Sequence, residues 1–317
     1  MSFWTGKTVI ILGGTGFLGK RLTTFLKETD ARLVVPAGSS QLNLLNPDAL
    51  KFFCVEYGLT PNIVFHLAAR VGGIGATALY PVEFLYQNTL MGLNVVRECH
   101  ELDVDKLIVA GSVCAYPERA PIPMSEHHLW DGYPEHTNAA YGLAKRTVLA
   151  AQMAYAEEYG FPSVHVLMAN LYGPGQTFDP KVSHVIPAII NKIKVAKILN
   201  LDTINLWGTG EVSRDFLYVD DAARAYVALA EHYHEYKPFL PVNIGSGEEI
   251  MIGALAHLIC KLMNFEGRIL WDASKPNGQP RRCLRTWRVE DTTGWMPTTP
   301  LEDGLRATID DYLASFF

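Results

Sequence analysis

A glycine-rich loop between a buried apolar strand and an amphipathic helix is the feature that most restricts the fold of this chain. The segment GGTGFLG (13–19) follows the apolar run KTVIIL and precedes a stretch whose apolar residues recur with helical spacing. Gly13, Gly16 and Gly19 permit a tight turn and let a pyrophosphate approach the N–H groups at the start of the helix. The loop therefore predicts dinucleotide binding at the first strand–helix turn of a Rossmann-type fold.

The strand–helix alternation continues through the first half of the chain. The runs predicted to be buried strands are KTVIIL, ARLVV, NIVFHLA, KLIVAG and SVHVLMAN. Repeated strand–helix–strand units indicate an α/β fold, a doubly wound parallel sheet with right-handed crossovers. After NLYGPGQTFDP (170–180) the alternation loosens, which indicates a smaller α/β substrate-binding lobe. We assign 1–172 and about 214–247 to the cofactor-binding domain, and 173–213 and about 248–317 to the smaller lobe.

Composition excludes several classes of partner. The 317 residues carry a formal net charge of −6, whereas a nucleic-acid-binding protein is expected to show a basic surplus. No apolar run approaches the about 18 residues needed to span a bilayer, and the N-terminus lacks the pattern of a signal peptide. The five cysteines are scattered without a C-x-x-C pair, which predicts reduced thiols and neither a disulfide nor a metal site. We therefore predict a cytoplasmic protein.

The segment after the second strand bears on the choice of dinucleotide. An NAD-selective site usually carries an acidic residue there to hold the ribose 2′-hydroxyl. In VVPAGSSQLNLLN the corresponding residues are Gly38, Ser39 and Ser40, with no carboxylate to repel a 2′-phosphate. The sequence therefore favours NADP over NAD, although no arginine clamp is visible.

Acid–base chemistry is indicated by YGLAK (141–145) and by GSVCAYP (111–117). Tyr141 and Lys145 share one helix face, and a nearby ammonium is expected to lower the pKa of the phenol. Tyr141 can then protonate a carbonyl oxygen as hydride arrives, while Ser112 donates a hydrogen bond to the same oxygen. Cys114, two residues beyond Ser112, reads on spacing alone as a buried small hydrophobic residue more readily than as a catalytic one.

These segments resemble the extended short-chain dehydrogenases/reductases, and FHLAA (65–69) matches the fourth strand of that family. The resemblance narrows to the GDP-L-fucose synthases, which are GDP-4-keto-6-deoxy-D-mannose epimerases/reductases, and it covers nearly the whole chain. The segments that carry it are AARVGGI, YPVEFLYQN, GSVCAYP, NLYGPGQTFDP, SHVIPAII, WGTGEVSRDFLYVDD and DASKPNGQPRR.

The resemblance implies roles for particular residues. Cys114 and His184 match the family's acid–base pair for inversion at C3 and C5, and Ser112, Tyr141 and Lys145 match its reductase residues. The substrate-binding positions it implies are Asn170, Trp207, Arg214 and Lys275. The expected NADPH-binding residues are Gly13, Thr15, Gly16, Phe17, Leu18, Gly19, Ser39, Ser40, Leu67, Ala68, Ala69, Tyr141 and Lys145. Family members are usually homodimers, joined here by the helix after YPVEF and the helix that carries Tyr141.

Alternatives to this interpretation remain. Val113 and Arg70 stand where the family usually has serine and lysine, and HTNAAYGLAK differs from the family's PTNEPYAIAK. These departures are compatible with a different NDP-4-keto sugar, or with a reductase that has no epimerase activity. A non-catalytic NADP-binding regulator is a remote alternative, because such proteins typically lose the Tyr-x-x-x-Lys pair that this chain retains.

Overall fold

Eleven strands lie within the residues described by the computed structural model, which are 2–179, 183–233 and 239–314. They are β1 Thr8–Leu12, β2 Leu33–Ala37, β3 Ile63–His66, β4 Lys106–Ala110, β5 Ser163–Met168, β6 Asn170–Tyr172, β7 Thr203–Trp207, β8 Ser213–Tyr218, β9 Val242–Ile244, β10 Glu249–Met251 and β11 Arg268–Asp272. The central sheet has the order β2-β1-β3-β4-β5-β9, and all of its neighbouring strands are parallel. The predicted α/β class with a parallel sheet is confirmed.

The described residues form ten helices, some of which cover both faces of the central sheet. They are α1 Phe17–Lys27, α2 Ala49–Glu56, α3 Ile74–Leu79, α4 Pro81–Glu101, α5 Ala139–Tyr159, α6 Val185–Ile198, α7 Val219–His232, α8 Ile252–Leu262, α9 Trp287–Thr293 and α10 Leu301–Ala314. Along β1, Val9 and Ile11 pack in one core with α1 and α7, while Ile10 and Leu12 pack in a second core with α2 and α4. Because successive side chains of a strand point to opposite faces, this division shows the predicted double winding.

A separate hydrophobic core lies in the second half of the chain. It joins buried residues of α6, α8 and α10 with residues of β7 and β8. Two small sheets accompany it, one with the order β10-β8-β6 and one that pairs β11 with β7. This core contains the helix and the strand expected in IMIGALAHLICKLM and GRILWDA.

The segment around α9 differs from the predicted division of the chain. Leu284, Val289 and Trp295 fall within 248–317, yet they are buried in the core that contains α1 and α7. Their apolar side chains therefore stabilise the larger unit, while the polypeptide crosses between the two. The exact domain boundaries stay a prediction, and the assigned ranges also include 1, 180–182, 234–238 and 315–317, which lie outside the described residues.

The order of the central sheet fixes where a ligand can bind. The chain passes from β1 to β2 on one side and then to β3 on the other, so β1 and β3 flank the point where the winding reverses. Ligands of open α/β sheets bind at such a point, beyond the carboxyl ends of the strands. Gly13 follows β1 and Ala68 follows β3, and the two backbones nearly touch.

In the part of the chain that the structure describes, no helix combines the length and apolar character required to cross a bilayer.

Candidate active site

One cavity of about 1060 Å³ contains most of the residues singled out in the sequence. It lies beyond the carboxyl ends of β1, β3 and β4 and extends to α6 and β7. The expected site residues that line it are Gly13, Thr15, Gly16, Phe17, Leu18, Gly19, Ser39, Leu67, Ala68, Ala69, Ser112, Cys114, Tyr141, Lys145, Asn170, His184, Trp207 and Arg214. Ser40 and Lys275 do not line it.

The end of the cavity beside β1 is made of polypeptide backbone. Gly13 has a φ of +85°, and a Cβ atom there would lie 2.8 Å from the amide nitrogen of Ala68. A Cβ at Gly19 would lie 2.1 Å from the carbonyl oxygen of Gly13, so only glycine lets α1 approach the loop this closely. Helix α1 begins at Phe17, where its first N–H groups have no partner within the helix. This cradle fits the pyrophosphate of a dinucleotide.

The outer edge of this end is a turn after β2. The N–H groups of Gln41 and Leu42 both donate to the carbonyl oxygen of Gly38, at 3.0 Å, which holds the turn closed. Ser39 lines the cavity, whereas Ser40 is exposed outside it. Among the described residues that line the cavity, none of those from Leu12 to Leu45 is basic. Of the two predicted serines, Ser39 is the one that reaches the cavity, and its role towards a 2′-phosphate stays a prediction.

Tyr141 and Lys145 lie one turn apart on α5, as predicted. The Lys145 Nζ donates to the carbonyl oxygen of Ala110 at 2.7 Å and lies 5.6 Å from the centroid of the Tyr141 ring. Burial lowers the pKa of Lys145 to about 8. Burial also raises the pKa of Tyr141 well above its usual value, and the neighbouring Cys114 adds to the rise.

The expected direction of the Tyr141 pKa is therefore wrong for this structure. The sequence argument counted only the attraction between a phenolate and the Lys145 ammonium. In the folded protein desolvation of the phenol raises its pKa instead, because the ring is enclosed by α5 and by Phe84, whose ring centroid lies 6.3 Å away. Tyr141 consequently stays protonated at neutral pH, which is the form that can donate a proton.

The thiol of Cys114 is carried on a short 3₁₀ turn, Val113–Ala115, that follows β4. The Ser112 Oγ caps this turn by accepting the N–H of Cys114 at 3.2 Å. A Cβ at Gly142 would lie 2.3 Å from the carbonyl oxygen of Cys114, so a glycine next to Tyr141 lets α5 press against the turn. The buried Arg146 adds a hydrogen bond from Nε to the carbonyl oxygen of Ala115, at 2.6 Å. The thiol and the phenol are thus fixed on abutting segments.

His184 enters the cavity from a different element. It is the N-cap residue of α6, with extended backbone angles, and it lines the cavity with an exposed side chain. The protein atoms around the cavity desolvate the imidazole in part, which lowers its pKa below its usual value. A neutral imidazole can accept a proton at one nitrogen and donate one from the other.

The far end of the cavity is lined by basic side chains. They are Lys192 on α6, Arg214 on β8 and Arg282 in the segment before α9. Arg214 donates from Nη1 to the carbonyl oxygens of Ser213 and Gln279, both at 2.7 Å, and burial lowers its pKa. Sequence reasoning named Arg214 but missed Lys192 and Arg282. For Lys192 a signal existed, since it lies eight residues after His184 and hence near the same helix face.

The other predicted substrate-binding residues differ in position. The Asn170 side chain lines the cavity, but its Nδ2 donates to the carbonyl oxygen of Asp215 at 3.1 Å, a bond that also supports β8. Trp207 lines the mouth and is 51% exposed. Lys275 is exposed and lies behind Trp207, with its Nζ 5.7 Å from the ring centroid. Lys275 is therefore a neighbour of the cavity wall rather than part of it.

The described residues hold no group of three or more histidine, cysteine, aspartate or glutamate side chains arranged to bind a metal ion. The chemically active groups of the cavity are instead a hydroxyl, a thiol, a phenol, an amine and an imidazole. With a backbone cradle at one end and guanidinium and ammonium groups at the other, the arrangement suits a dinucleotide and a second anionic ligand.

Comparisons with known proteins agree with this geometry. The model of the NAD dependent epimerase/dehydratase family matches residues 9–245. The chain is 38% identical to the GDP-L-fucose synthase of Sinorhizobium fredii over 310 residues, which are 98% of this chain and 96% of that protein. The crystal structure of a GDP-L-fucose synthetase from Naegleria fowleri bound to NADP shares 27% identity and a TM-score of 0.86, over 100% of this chain and 97% of that one. A GDP-mannoheptose C4 reductase from Campylobacter jejuni with NADP bound shares 25% identity and a TM-score of 0.85, over 97% and 98%.

Proposed function

The chain belongs to the NAD dependent epimerase/dehydratase family, and we propose that it converts GDP-4-keto-6-deoxy-D-mannose to GDP-L-fucose with NADPH. The reaction has two parts, inversion at C3 and C5 of the sugar followed by reduction at C4. The observation that carries the proposal is the pairing of Cys114 with Tyr141. A proton-transferring thiol and a proton-donating phenol lie on abutting segments of one cavity.

The cofactor is held by the chain's own backbone. Gly13, Gly16 and the start of α1 bind the pyrophosphate, and the hydroxyl of Ser39 donates a hydrogen bond to the 2′-phosphate. When bound, NADPH supplies the hydride that reduces C4. Tyr141, kept protonated by burial, donates its proton to the oxygen at C4. Lys145 fixes the position of the Tyr141 ring and is itself tied to the end of β4.

Inversion uses the 4-keto group before reduction. The carbonyl acidifies the C–H bonds on both neighbouring carbons, and Ser112 and Tyr141 stabilise the enolate oxygen by hydrogen bonding. Cys114 and His184 transfer the protons, since a thiol and an imidazole both titrate near neutrality. Which of them removes the proton and which returns it is left open. The two groups come from separate elements, the turn after β4 and the start of α6, so they can approach a sugar from different directions.

The basic end of the cavity binds the nucleotide diphosphate. Arg214, Arg282 and Lys192 present charged donors to the GDP pyrophosphate, and guanidinium groups suit such planar, bidentate contacts. Trp207 stands exposed at the mouth and covers the ligand from outside.

Proton exchange in deuterated buffer tests the proposal. The protein is incubated with GDP-4-keto-6-deoxy-D-mannose without NADPH, and deuterium at C3 and C5 is read by mass spectrometry and NMR. We expect exchange at both carbons, and Cys114→Ser to slow it about 10²- to 10⁴-fold. Replacing the buried Cys54, which lies outside the cavity, by serine serves as the matched control. Absence of exchange in the unaltered protein contradicts the epimerase activity.

The second candidate is a C4 reductase without epimerase activity. The similarity to the GDP-mannoheptose C4 reductase favours it, together with Arg70 and Val113, the departures noted in the sequence. Adding NADPH to the exchange sample distinguishes the two. Oxidation of NADPH without prior deuterium incorporation indicates the plain reductase, whereas neither exchange nor oxidation indicates a different sugar. Repeating the assay with NADH tests the cofactor.

We also propose that the protein is a cytoplasmic homodimer joined through α4 and α5. Apolar side chains stand exposed on the outer face of α4, among them Val82 (76% exposed), Tyr86 (65%) and Leu85 (41%). An exposed apolar patch of this kind is typical of an interface between subunits. Light scattering coupled to size exclusion measures the mass, and Tyr86→Glu is expected to yield monomers.

A further inference from the structure

A buried guanidinium group touches the thiol of Cys114. The Arg282 Nη1 lies 3.4 Å from the Sγ of Cys114, within hydrogen-bonding distance for sulfur. Arg282 is only 6% exposed, although it belongs to a polar loop 168 residues away in the sequence. A fully charged side chain is costly to bury without partners, so its partners indicate what it does.

The guanidinium is also held by a second partner, Gln279. Its Nε donates to the Oε1 of Gln279 at 2.9 Å. The Nε2 of Gln279 in turn donates to the carbonyl oxygens of Pro117 and Glu118, both at 3.0 Å, immediately after the turn that carries Cys114. Gln279 is 1% exposed. This bridge ties Arg282 to the same segment as the thiol, which fixes the distance between them.

Other titratable groups near the thiol come from β8, from α5 and from the segment before α5. Arg214 on β8 interacts electrostatically with Cys114, with Arg282 and with Glu135, which precedes α5. Tyr141 on α5 interacts with Cys114 as well and is protonated. The only carboxylate in this set, Glu135, is itself occupied by hydrogen bonds from Thr137 and Asn138. The charge that the thiol meets is therefore mainly positive.

We propose that Arg282 is a positioning residue that stabilises the thiolate form of Cys114. During inversion a C–H bond of the substrate breaks, its electron pair enters the enolate, and the proton forms an S–H bond with the thiolate. In the opposite transfer the S–H bond breaks and the proton goes to carbon. Cys114 is a thiolate on one side of either step, and Arg282 faces that charge through its Nη1.

This assignment of a role in inversion rests on the proposed function, but the contact itself does not. A guanidinium that served only the GDP pyrophosphate would have no need of a bridge through Gln279 to the segment after Cys114. The two uses make different predictions. Loss of a pyrophosphate ligand raises the KM for the sugar nucleotide, whereas loss of a thiolate partner changes the thiol without any substrate present.

Alkylation of Cys114 by iodoacetamide tests the proposal on the protein alone. The rate at Cys114 is measured by peptide mass spectrometry across a range of pH and is divided by its plateau at high pH. This division removes differences in access, because every thiol is ionised at the plateau. We expect Arg282→Met to move the midpoint of the profile upward by about one pH unit. Arg282→Lys, which keeps the positive charge, is expected to restore at least half of that shift.

The matched control is Arg281→Met, the same change at the adjacent residue. Arg281 is 58% exposed and pairs with Glu249 on the surface, so its replacement is expected to leave the profile unchanged. Thermal unfolding of each variant identifies any that fails to fold. Should Arg282→Met give the same normalised profile as the unaltered protein, the proposal is overturned and Arg282 is a pyrophosphate ligand only.

Deuterium exchange then connects the contact to the reaction. Arg282→Met is expected to slow exchange at saturating substrate about tenfold at neutral pH, and by less at higher pH, where thiolate forms without help. An unchanged exchange rate at saturating substrate, alongside a raised KM, also overturns the proposal. If the unaltered protein shows no exchange, the proposed function fails, while the alkylation profile still decides whether Arg282 stabilises the thiolate.

Discussion

The two ends of the cavity are built from different parts of the polypeptide. At the cofactor end, backbone atoms of Gly13 and the start of α1 form much of the surface, and no side chain fits at Gly13 or Gly19 because a Cβ there would collide with main chain. At the substrate end, Lys192, Arg214 and Arg282 form the surface with long charged side chains. A backbone surface recognises a group common to all dinucleotides, whereas side chains can be exchanged to suit one sugar nucleotide.

Tyr141 lies where the two ends meet, and its substitution should cause the largest loss of reaction rate. In Tyr141→Phe the proton donor for C4 is lost, so we expect the rate of NADPH oxidation to fall about 10²- to 10⁴-fold. Affinity for GDP, measured by titration calorimetry, should stay the same, because the basic end is not altered. Tyr133→Phe, at a residue 64% exposed, is the control. A fall of similar size in the affinity for GDP would show that the ends are not independent.

Gly19→Ala tests the backbone end. The new Cβ would lie 2.1 Å from the carbonyl oxygen of Gly13, and the atom it meets is main chain that cannot rotate away. We expect the loop to shift and NADPH to bind about 100-fold more weakly, with GDP affinity retained. Lys20→Ala, an exposed change one residue along the same helix, should leave both affinities intact. Normal NADPH binding by Gly19→Ala would mean that the cradle is not the binding surface.

The buried amine of Lys145 lies between the two ends, and its lowered pKa should make the stability of the protein depend on pH. Its pKa is about 8 in the folded protein and about 10.5 when unfolded. Between these values the unfolded chain binds a proton that the folded chain lacks, so this residue makes stability rise with pH. From about pH 7.5 to about 9.5 we expect a rise of about 2 kcal/mol in the free energy of unfolding, relative to Lys145→Met. Urea unfolding measures it, and a flat difference would contradict the burial of the ammonium.

Arg214→Met tests the side-chain end and should give the smallest change. Losing one charged donor to a pyrophosphate is expected to raise the KM for the sugar nucleotide about tenfold, with kcat and NADPH affinity nearly unchanged. Steady-state kinetics give both constants. Arg268→Met, at a residue whose side chain is 76% exposed, is the control. Weaker NADPH binding in Arg214→Met would contradict the assignment of the two ligands to separate ends of the cavity.

The same comparison explains how much could be predicted from the sequence. The glycine loop at the cofactor end is contiguous in sequence, so GGTGFLG and its flanking strand and helix were enough to predict its strand–turn–helix structure. The substrate end joins residues from α6, β8 and the segment before α9, and no local pattern brings Lys192 and Arg282 to one wall. Tertiary packing also placed Lys275 behind Trp207 and left Ser40 outside the cavity.

The predicted direction of the Tyr141 pKa shift was wrong for a related reason. The i, i+4 spacing of Tyr141 and Lys145 is visible in the sequence, but the degree of enclosure is not. Desolvation depends on every atom around the phenol, including Phe84 from α4, and it reversed the expected shift. Likewise Arg282 and Cys114 are 168 residues apart, and no local sequence pattern predicts that they are in contact.

The close contact between Gly142 and Cys114 has a consequence for the order of events on the sugar. The backbones of helix α5 and of the Cys114 turn meet with no room for even a methyl group, so the two segments cannot slide past each other between steps. In the proposed mechanism one thiol serves two different carbons, and we therefore expect the pyranose ring to change its pose between the two inversions while the basic end keeps the nucleotide anchored.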